Sequence, residues 1–172
     1  MSEVERRIEI VMLHASPIHR YEGRPRAGAL PAIGPELHEA LRFRAGLGIV
    51  GDRHFNAPAH RRASVTLFAI ESLERVAQAL ETPPLDPAAT RRNVVVRGLD
   101  VDGLRGSDFS LDSGAGPVEF RAHRPCNPCA WMDVEVAEGA FRALRGRGGM
   151  RCEPLTDGTL DLGPAAFRPL AR

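Results

Sequence analysis

The chain has 172 residues, 43% of them hydrophobic and 26% charged, with a formal net charge of +1; that is enough for one domain with a buried core, and the balanced charge gives no broad electrostatic case for nucleic-acid or membrane-surface binding. All 23 basic residues are arginine, and without lysine the chain can neither form the Schiff base that holds pyridoxal phosphate nor use a lysine nucleophile. No apolar run approaches the roughly 20 residues that cross a bilayer, and the apolar stretch at 8–13 is too short for a signal-peptide core, so a single cytoplasmic domain spanning 1–172 is expected.

Residues 8–16, rich in Ile and Val, read as a first strand. Residues 17–48 are punctuated by Pro17, Gly23, Pro25, Gly28, Pro31, Gly34 and Pro35, and read as a long loop with short strands at most. Gly48-Ile49-Val50-Gly51 then runs into a polar cluster, and 64–68 form another short strand. Residues 69–80 are the clearest helix: Ile70, Leu73, Val76, Ala77 and Leu80 recur at three and four residues, and Glu71 and Arg75 have the spacing of a helical charge pair. Residues 93–97 are β-branched. Segments 108–112 and 117–122 are strands joined through Ser113-Gly114-Ala115-Gly116. Residues 134–144 read as a second, weaker helix, broken by glycines at 146–149. Finally, 150–155 and 159–162 flank Thr156-Asp157-Gly158, a hairpin signal. Many short strands and only two helices point to a mainly β, barrel-like fold.

Four polar segments carry candidate chemistry. In His123-Arg124-Pro125-Cys126-Asn127-Pro128-Cys129 two thiols sit at the end of a strand beside an arginine, a setting that favours a thiolate. Such a pair could be redox-active, could join Cys152 and His123 in a structural zinc site, or could be buried and inert. An odd count of three cysteines argues against a disulfide framework. Gly51-Asp52-Arg53-His54-Phe55, followed by His60-Arg61-Arg62, has the composition of a site. Arg91-Arg92-Asn93 and Gly148-Gly149-Met150-Arg151 offer guanidiniums and a glycine pair suited to phosphate; each could equally be a solvated charged loop.

These segments, as GIVGDRHF (48–55), RRNVVVRGLDVDGLRGSDF (91–109), PCNPCAWMD (125–133) and RGRGGMRCEPLTDGTLDLG (145–163), resemble the molybdenum-cofactor sulfurase C-terminal (MOSC) domain family over a core of about 46–163, and look most like its small bacterial stand-alone members. The resemblance implies a β-barrel with few helices that binds a molybdenum-pterin cofactor or handles sulfur destined for it. It places the essential cysteine at Cys129, ahead of Cys126, and implies partners for it at His60 or His54 and at Arg24.

The expected pocket holds the pterin phosphate with Arg53, Arg91, Arg92 and Arg151, lined also by Asp52, Asn93 and Gly149, and a Cys129 thiolate suits the soft metal. His60 or His54 would move protons in reduction of an N-hydroxylated base or amidoxime. Electrons would come from a separate reductase, because GxGxxG is absent and three cysteines cannot hold a four-cysteine cluster. In the rival reading Cys129 carries a persulfide that Cys126 resolves, and a separate cysteine desulfurase supplies the sulfur. A third reading is a non-catalytic module that stores or delivers the cofactor.

Overall fold

The computed structural model describes residues 4–171. Its strands are β1 (Arg6–Leu13), β2 (Ala40–Arg44), β3 (Gly48–Ile49), β4 (Val65–Ala69), β5 (Val94–Arg97), β6 (Asp108–Asp112), β7 (Val118–Pro125), β8 (Met150–Pro154), β9 (Gly158–Asp161) and β10 (Gly163–Leu170). Three α-helices, α1 (Ile70–Ala79), α2 (Trp131–Glu135) and α3 (Ala140–Ala143), and several 3₁₀ turns complete the chain. Seven strands close a barrel in the order β1-β10-β6-β7-β8-β4-β5, and β2 lies between β3 and β9 in a separate sheet. The expected mainly β barrel with few helices is therefore what forms.

Side-chain alternation along the strands divides the core in two. Ile10, Leu13, Leu67, Val94, Phe120 and Met150 fill the barrel, joined by Phe43 and Leu160 of the small sheet. Met12, Val95 and Phe68 point outward and are covered by Leu73 and Val76 of α1, Trp131 of α2 and Leu144 beyond α3. In β1 both Ile10 and Leu13 face inward, because the register shifts between Ile10 and Met12. That bulge turns the next residue of the outward set, His14, onto the same face as Met12.

Several expectations need correction. The helix expected over 134–144 is two short ones, broken at Gly139, whose φ of +91 no continuing helix can adopt. Glu71 does not pair with Arg75; its Oε1 accepts the Gly98 amide at 2.7 Å. Thr156-Asp157-Gly158 does turn the chain, but β8 and β9 form no hairpin. Both edges of β8 are already taken by β7 and β4, so β9 pairs with β2 instead. Asp157 fastens that turn to the small sheet, accepting from the Ala45 amide at 2.8 Å. The stretch 17–48, expected as a long loop with short strands at most, holds one such strand, β2, with Leu41 and Phe43 buried between exposed neighbours.

Candidate functional site

Strand register aligns a polar row on the outer face of the barrel. Leu13 pairs with Val94, Leu67 with Val94, and Thr66 with Arg151, so His14, Asn93, Thr66 and Arg151 fall side by side across β1, β5, β4 and β8. They lie one step along from the apolar row Met12, Val95 and Phe68. Arg124, opposite Arg151, extends the row onto β7 just past a bulge.

Asn93 ties this row together. Its Oδ1 accepts the Thr66 amide at 2.9 Å and its Nδ2 donates to the His14 carbonyl at 3.0 Å. Its backbone amide donates to Thr66 Oγ1. Both ends of the side chain are thus committed to holding three strands.

The 3₁₀ turn before β5 ends at Arg91, in a left-handed conformation with φ +54. This geometry turns the Arg91 side chain inward. Its Nη1 donates to Glu36 at 3.2 Å and its Nη2 to the Ile18 carbonyl at 3.1 Å. Glu36 also takes Arg20 at 2.8 Å. Burial works to raise the Glu36 carboxyl, but Ser16, Arg20 and Arg91 outweigh it and hold it down at about 2. Neighbouring Arg92 spans a different gap, donating Nε to the Gly148 carbonyl at 3.0 Å.

Asp52 is fully buried, with its side chain 0% exposed. Its carboxylate accepts the amides of Ser16 at 3.2 Å and His54 at 3.0 Å, with Asn93 Nδ2 at 3.5 Å. Among the described residues the Arg53 guanidinium has no hydrogen-bond partner; Asp52 Oδ2, at 3.7 Å, is its ion-pair partner. His54 stacks on His60 with ring centroids 4.4 Å apart. Burial first, then Arg53, lowers His54 to about 4 against the pull of Asp52, so its ring is neutral at neutral pH.

The thiols are not equivalent. Cys129 is the exposed one, in the loop between β7 and α2. Cys126 is 2% exposed, its amide donating to the Gly149 carbonyl at 2.8 Å. Burial pushes its thiol up, although Arg92, Arg151 and Arg124 pull the other way. Cys152 points into the barrel core, and burial pushes its thiol up as well. Among the described residues no group of three His, Cys, Asp or Glu could hold a metal ion. The zinc reading fails on geometry: His123 is paired with Glu153 at 3.0 Å and Cys152 is sealed in the core.

Iodoacetamide should therefore alkylate Cys129 in the native chain well before Cys126 or Cys152, and all three in denaturant. Peptide mass spectrometry reads this directly. Labelling of Cys126 as fast as Cys129 would contradict the burial described here.

α2 links Cys129 to the arginine network. Trp131 stacks on Tyr21 at 4.9 Å between ring centroids, and the Arg91 guanidinium lies over the Tyr21 ring at 5.3 Å. Tyr21 is anchored through its hydroxyl to the Ala89 carbonyl. The 3₁₀ turn Pro25–Ala27, which begins just after exposed Arg24, packs against α2, and the Ala29 amide donates to Glu135 at 3.0 Å. Arg24 and Cys129 thus sit on adjoining elements.

Gly149 presents no free amide to an anion. Its N–H is given to Asp102 at 2.9 Å. Sequence reasoning missed His14, Glu36 and Tyr21. His14 alone carried a signal, as a histidine at the end of an otherwise apolar strand. Its side chain is 1% exposed, and neither ring nitrogen has a hydrogen-bond partner among the described residues. Burial first, then Arg91, lowers it to about 4. Leaving a buried donor or acceptor unpaired costs about 1–3 kcal/mol. A separate cleft of about 570 Å³, lined by Glu71, Arg75, Asp100, Asp102 and Arg147, contains none of the residues expected from sequence.

The sequence pattern of the MOSC domain family matches residues 42–165. No curated protein sequence matches the chain. Among solved structures, the YuaD protein from Bacillus subtilis superposes with a TM-score of 0.74 at 16% identity, covering 99% of this chain and 100% of its own. YiiM from Geobacillus stearothermophilus gives 0.62 at 14% identity, covering 96% of this chain and 76% of its own. YiiM from Escherichia coli gives 0.56 at 15%, covering 96% and 69%. At these identities the likeness is one of fold.

Proposed function

The chain belongs to the MOSC domain family, and from that premise we propose that it binds a phosphorylated molybdenum-pterin cofactor on the outer face of the barrel and reduces N-hydroxylated bases or amidoximes. The observation that carries this reading is an exposed thiol, Cys129, linked by the Trp131–Tyr21 stack to a network in which arginines outnumber carboxylates.

The donor set fits such a group. A thiolate suits a soft metal, and the Arg53 guanidinium, which has no hydrogen-bond partner among the described residues, suits a phosphate. Cys129 would hold the metal, with Arg53, Arg92 and Arg151 toward the phosphorylated end. When bound, the cofactor supplies a two-electron redox centre. In the overall reaction the N–O bond breaks, two electrons arrive from a separate reductase, one proton goes to the nitrogen, and one goes to the departing hydroxyl, which leaves as water. His54 is neutral near pH 7 and is a poor proton donor, so delivery falls to His60, stacked upon it. Asp52 fixes the loop that carries both.

The persulfide alternative with Cys126 as resolving thiol is disfavoured by the burial of that sulfur and its raised pKa. The test is co-expression with cofactor-synthesis genes, followed by elemental analysis and an amidoxime-reduction assay with an added reductase. The wild-type chain and Cys126→Ser should copurify with molybdenum and reduce the substrate. Cys129→Ser should lose reduction by about a hundredfold or more, the scale expected when a residue at the reacting centre is removed. Wild-type protein without molybdenum, or full activity in Cys129→Ser, overturns the proposal.

A further inference from the structure

The cleft between the start of α1, the end of β5 and the turn before β8 measures about 570 Å³, inside the roughly 300–1,000 Å³ range of small-molecule sites. From the groups on its walls we infer that it binds a free α-amino acid, taking the carboxylate at the first turn of α1 and the ammonium at Asp100 and Asp102. This site does not rest on the cofactor reading, because the cleft shares no residue with the set assigned there.

The anionic end is marked by donors without acceptors. α1 has 10 residues and no side-chain cap, since Ala69 stands at its cap position. Its first N–H groups therefore find no acceptor within the helix. Ser72, in that first turn, is 5% exposed and lines the cleft. Its hydroxyl bonds to no described residue and is not among the side-chain atoms sealed from solvent without a partner, so it faces the cleft. Buried polar groups in native proteins are almost always paired, so this one points to a ligand. Arg75, three residues further along the helix, and Arg147, in the turn before β8, bring guanidiniums that pair with no described carboxylate. A carboxylate takes guanidinium donors in a fork and is favoured at the start of a helix.

The cationic end falls to two residues. Asp100 Oδ1 accepts the Gly103 amide at 3.3 Å and Asp102 Oδ1 the Gly149 amide at 2.9 Å, and the second oxygen of each accepts nothing from a described residue. Burial raises the Asp102 carboxyl against the Gly149 amide, and Asp100 adds to the rise; an ammonium beside them favours the charged form again. Glu71 is spent, one oxygen on the Gly98 amide at 2.7 Å and the other sealed from solvent. Opposite charges thus line one cleft without pairing across it. An anion alone would meet the carboxylates and a cation alone the guanidiniums, whereas a zwitterion satisfies both. Ala69 and Leu99 offer an apolar wall to the ligand's side chain.

The full chain made without the cofactor is titrated calorimetrically with L-leucine. Parallel titrations use 4-methylpentanoate, which lacks the ammonium, and 3-methylbutylamine, which lacks the carboxylate. Leucine should bind at one per chain, and each analogue about tenfold or more weakly, the loss expected when a charge-assisted contact goes. The double variant Arg75→Gln/Arg147→Gln should weaken leucine by about tenfold or more without weakening the amine. Asp102→Asn, whose amide oxygen can still accept the Gly149 N–H, should weaken leucine comparably without weakening 4-methylpentanoate. Should Asp102→Asn fail to fold, the arginine variant and the two analogues still decide.

Absence of leucine binding overturns the inference, as does an analogue that binds as tightly as leucine or leucine binding that survives either variant. L-leucylglycine binding more tightly than leucine would overturn the assignment to a free amino acid in favour of a short peptide. Molybdenum content and amidoxime reduction are read separately, so either proposal can fail while the other stands.

Discussion

Gly149→Ala should leave little folded protein. The residue sits at φ +91, where a side chain is strained whatever the space around it, and an added Cβ would lie 2.3 Å from the Leu67 carbonyl oxygen. Leu67 cannot yield, because β4 is hydrogen-bonded on one side to β5 and on the other to β8. The neighbouring Gly148 meets a steric limit of its own, with a Cβ 2.0 Å from the Cys126 carbonyl oxygen. Between them the two glycines let β8, β4 and the thiol loop meet. The expected cost exceeds about 4 kcal/mol, the range reserved for strain that the surroundings cannot relax. That is a large part of the roughly 5–15 kcal/mol by which domains are stable. Gly114→Ala is the control: its φ is +115 but nothing lies within 4 Å of the new Cβ, so the cost should be that of the backbone strain alone, about 1–3 kcal/mol. Urea midpoints of the two variants measure the difference. A Gly149→Ala chain that unfolds with the Gly114→Ala midpoint would refute the steric account.

The glycine pair shows where reading a sequence stops. Gly148-Gly149 resembles an anion-binding turn, yet what demands glycine is backbone approach from segments 22 and more residues away in sequence. Local signals fared better. α1 was legible because its apolar residues repeat at helical spacing, and the β6–β7 hairpin because its turn is half glycine. β2 carried a clear alternation in Leu41 and Phe43, but the prolines and glycines upstream left the region reading as a loop with short strands at most, with no strand placed in it. β10 contains Pro164 and Pro169, which argue against a strand in any local reading. It forms because β1 and β6 pair with it on both sides. The candidate site divides along the same line. Asp52, Arg53, Arg91, Arg92 and Asn93 stood out as polar clusters beside short β segments. Glu36 did not, because its partner Arg91 lies 55 residues away. Nor could local patterning show that Asn93 is spent on strand-to-strand bonds, or that Arg91 turns inward through a left-handed backbone.

Asp52→Ala should destabilise the chain by about 3–5 kcal/mol, the cost of breaking a buried charged network from one side. The Ser16 and His54 amides would lose their acceptor, and Arg53 would lose its ion-pair partner while remaining largely buried. Asp52→Asn keeps the shape and one acceptor oxygen, so it should cost clearly less. The difference in urea midpoint between the two variants isolates the scaffolding role. Hydrogen exchange gives it a location: amides at 14–20 and 52–55 should exchange faster in the alanine variant, while those of β6 and β7 stay protected. A carboxylate that served instead to contact a bound ligand would behave otherwise. Both substitutions would then leave the unliganded fold and its exchange pattern intact and differ from wild type only when ligand is added. Because Asp52 is the anion nearest Arg53, its neutralisation also removes the competitor for that guanidinium, and Asp52→Asn should bind phosphate at least as tightly as wild type. Weaker phosphate binding in a folded Asp52→Asn chain would mean that the carboxylate orients Arg53 rather than competes for it.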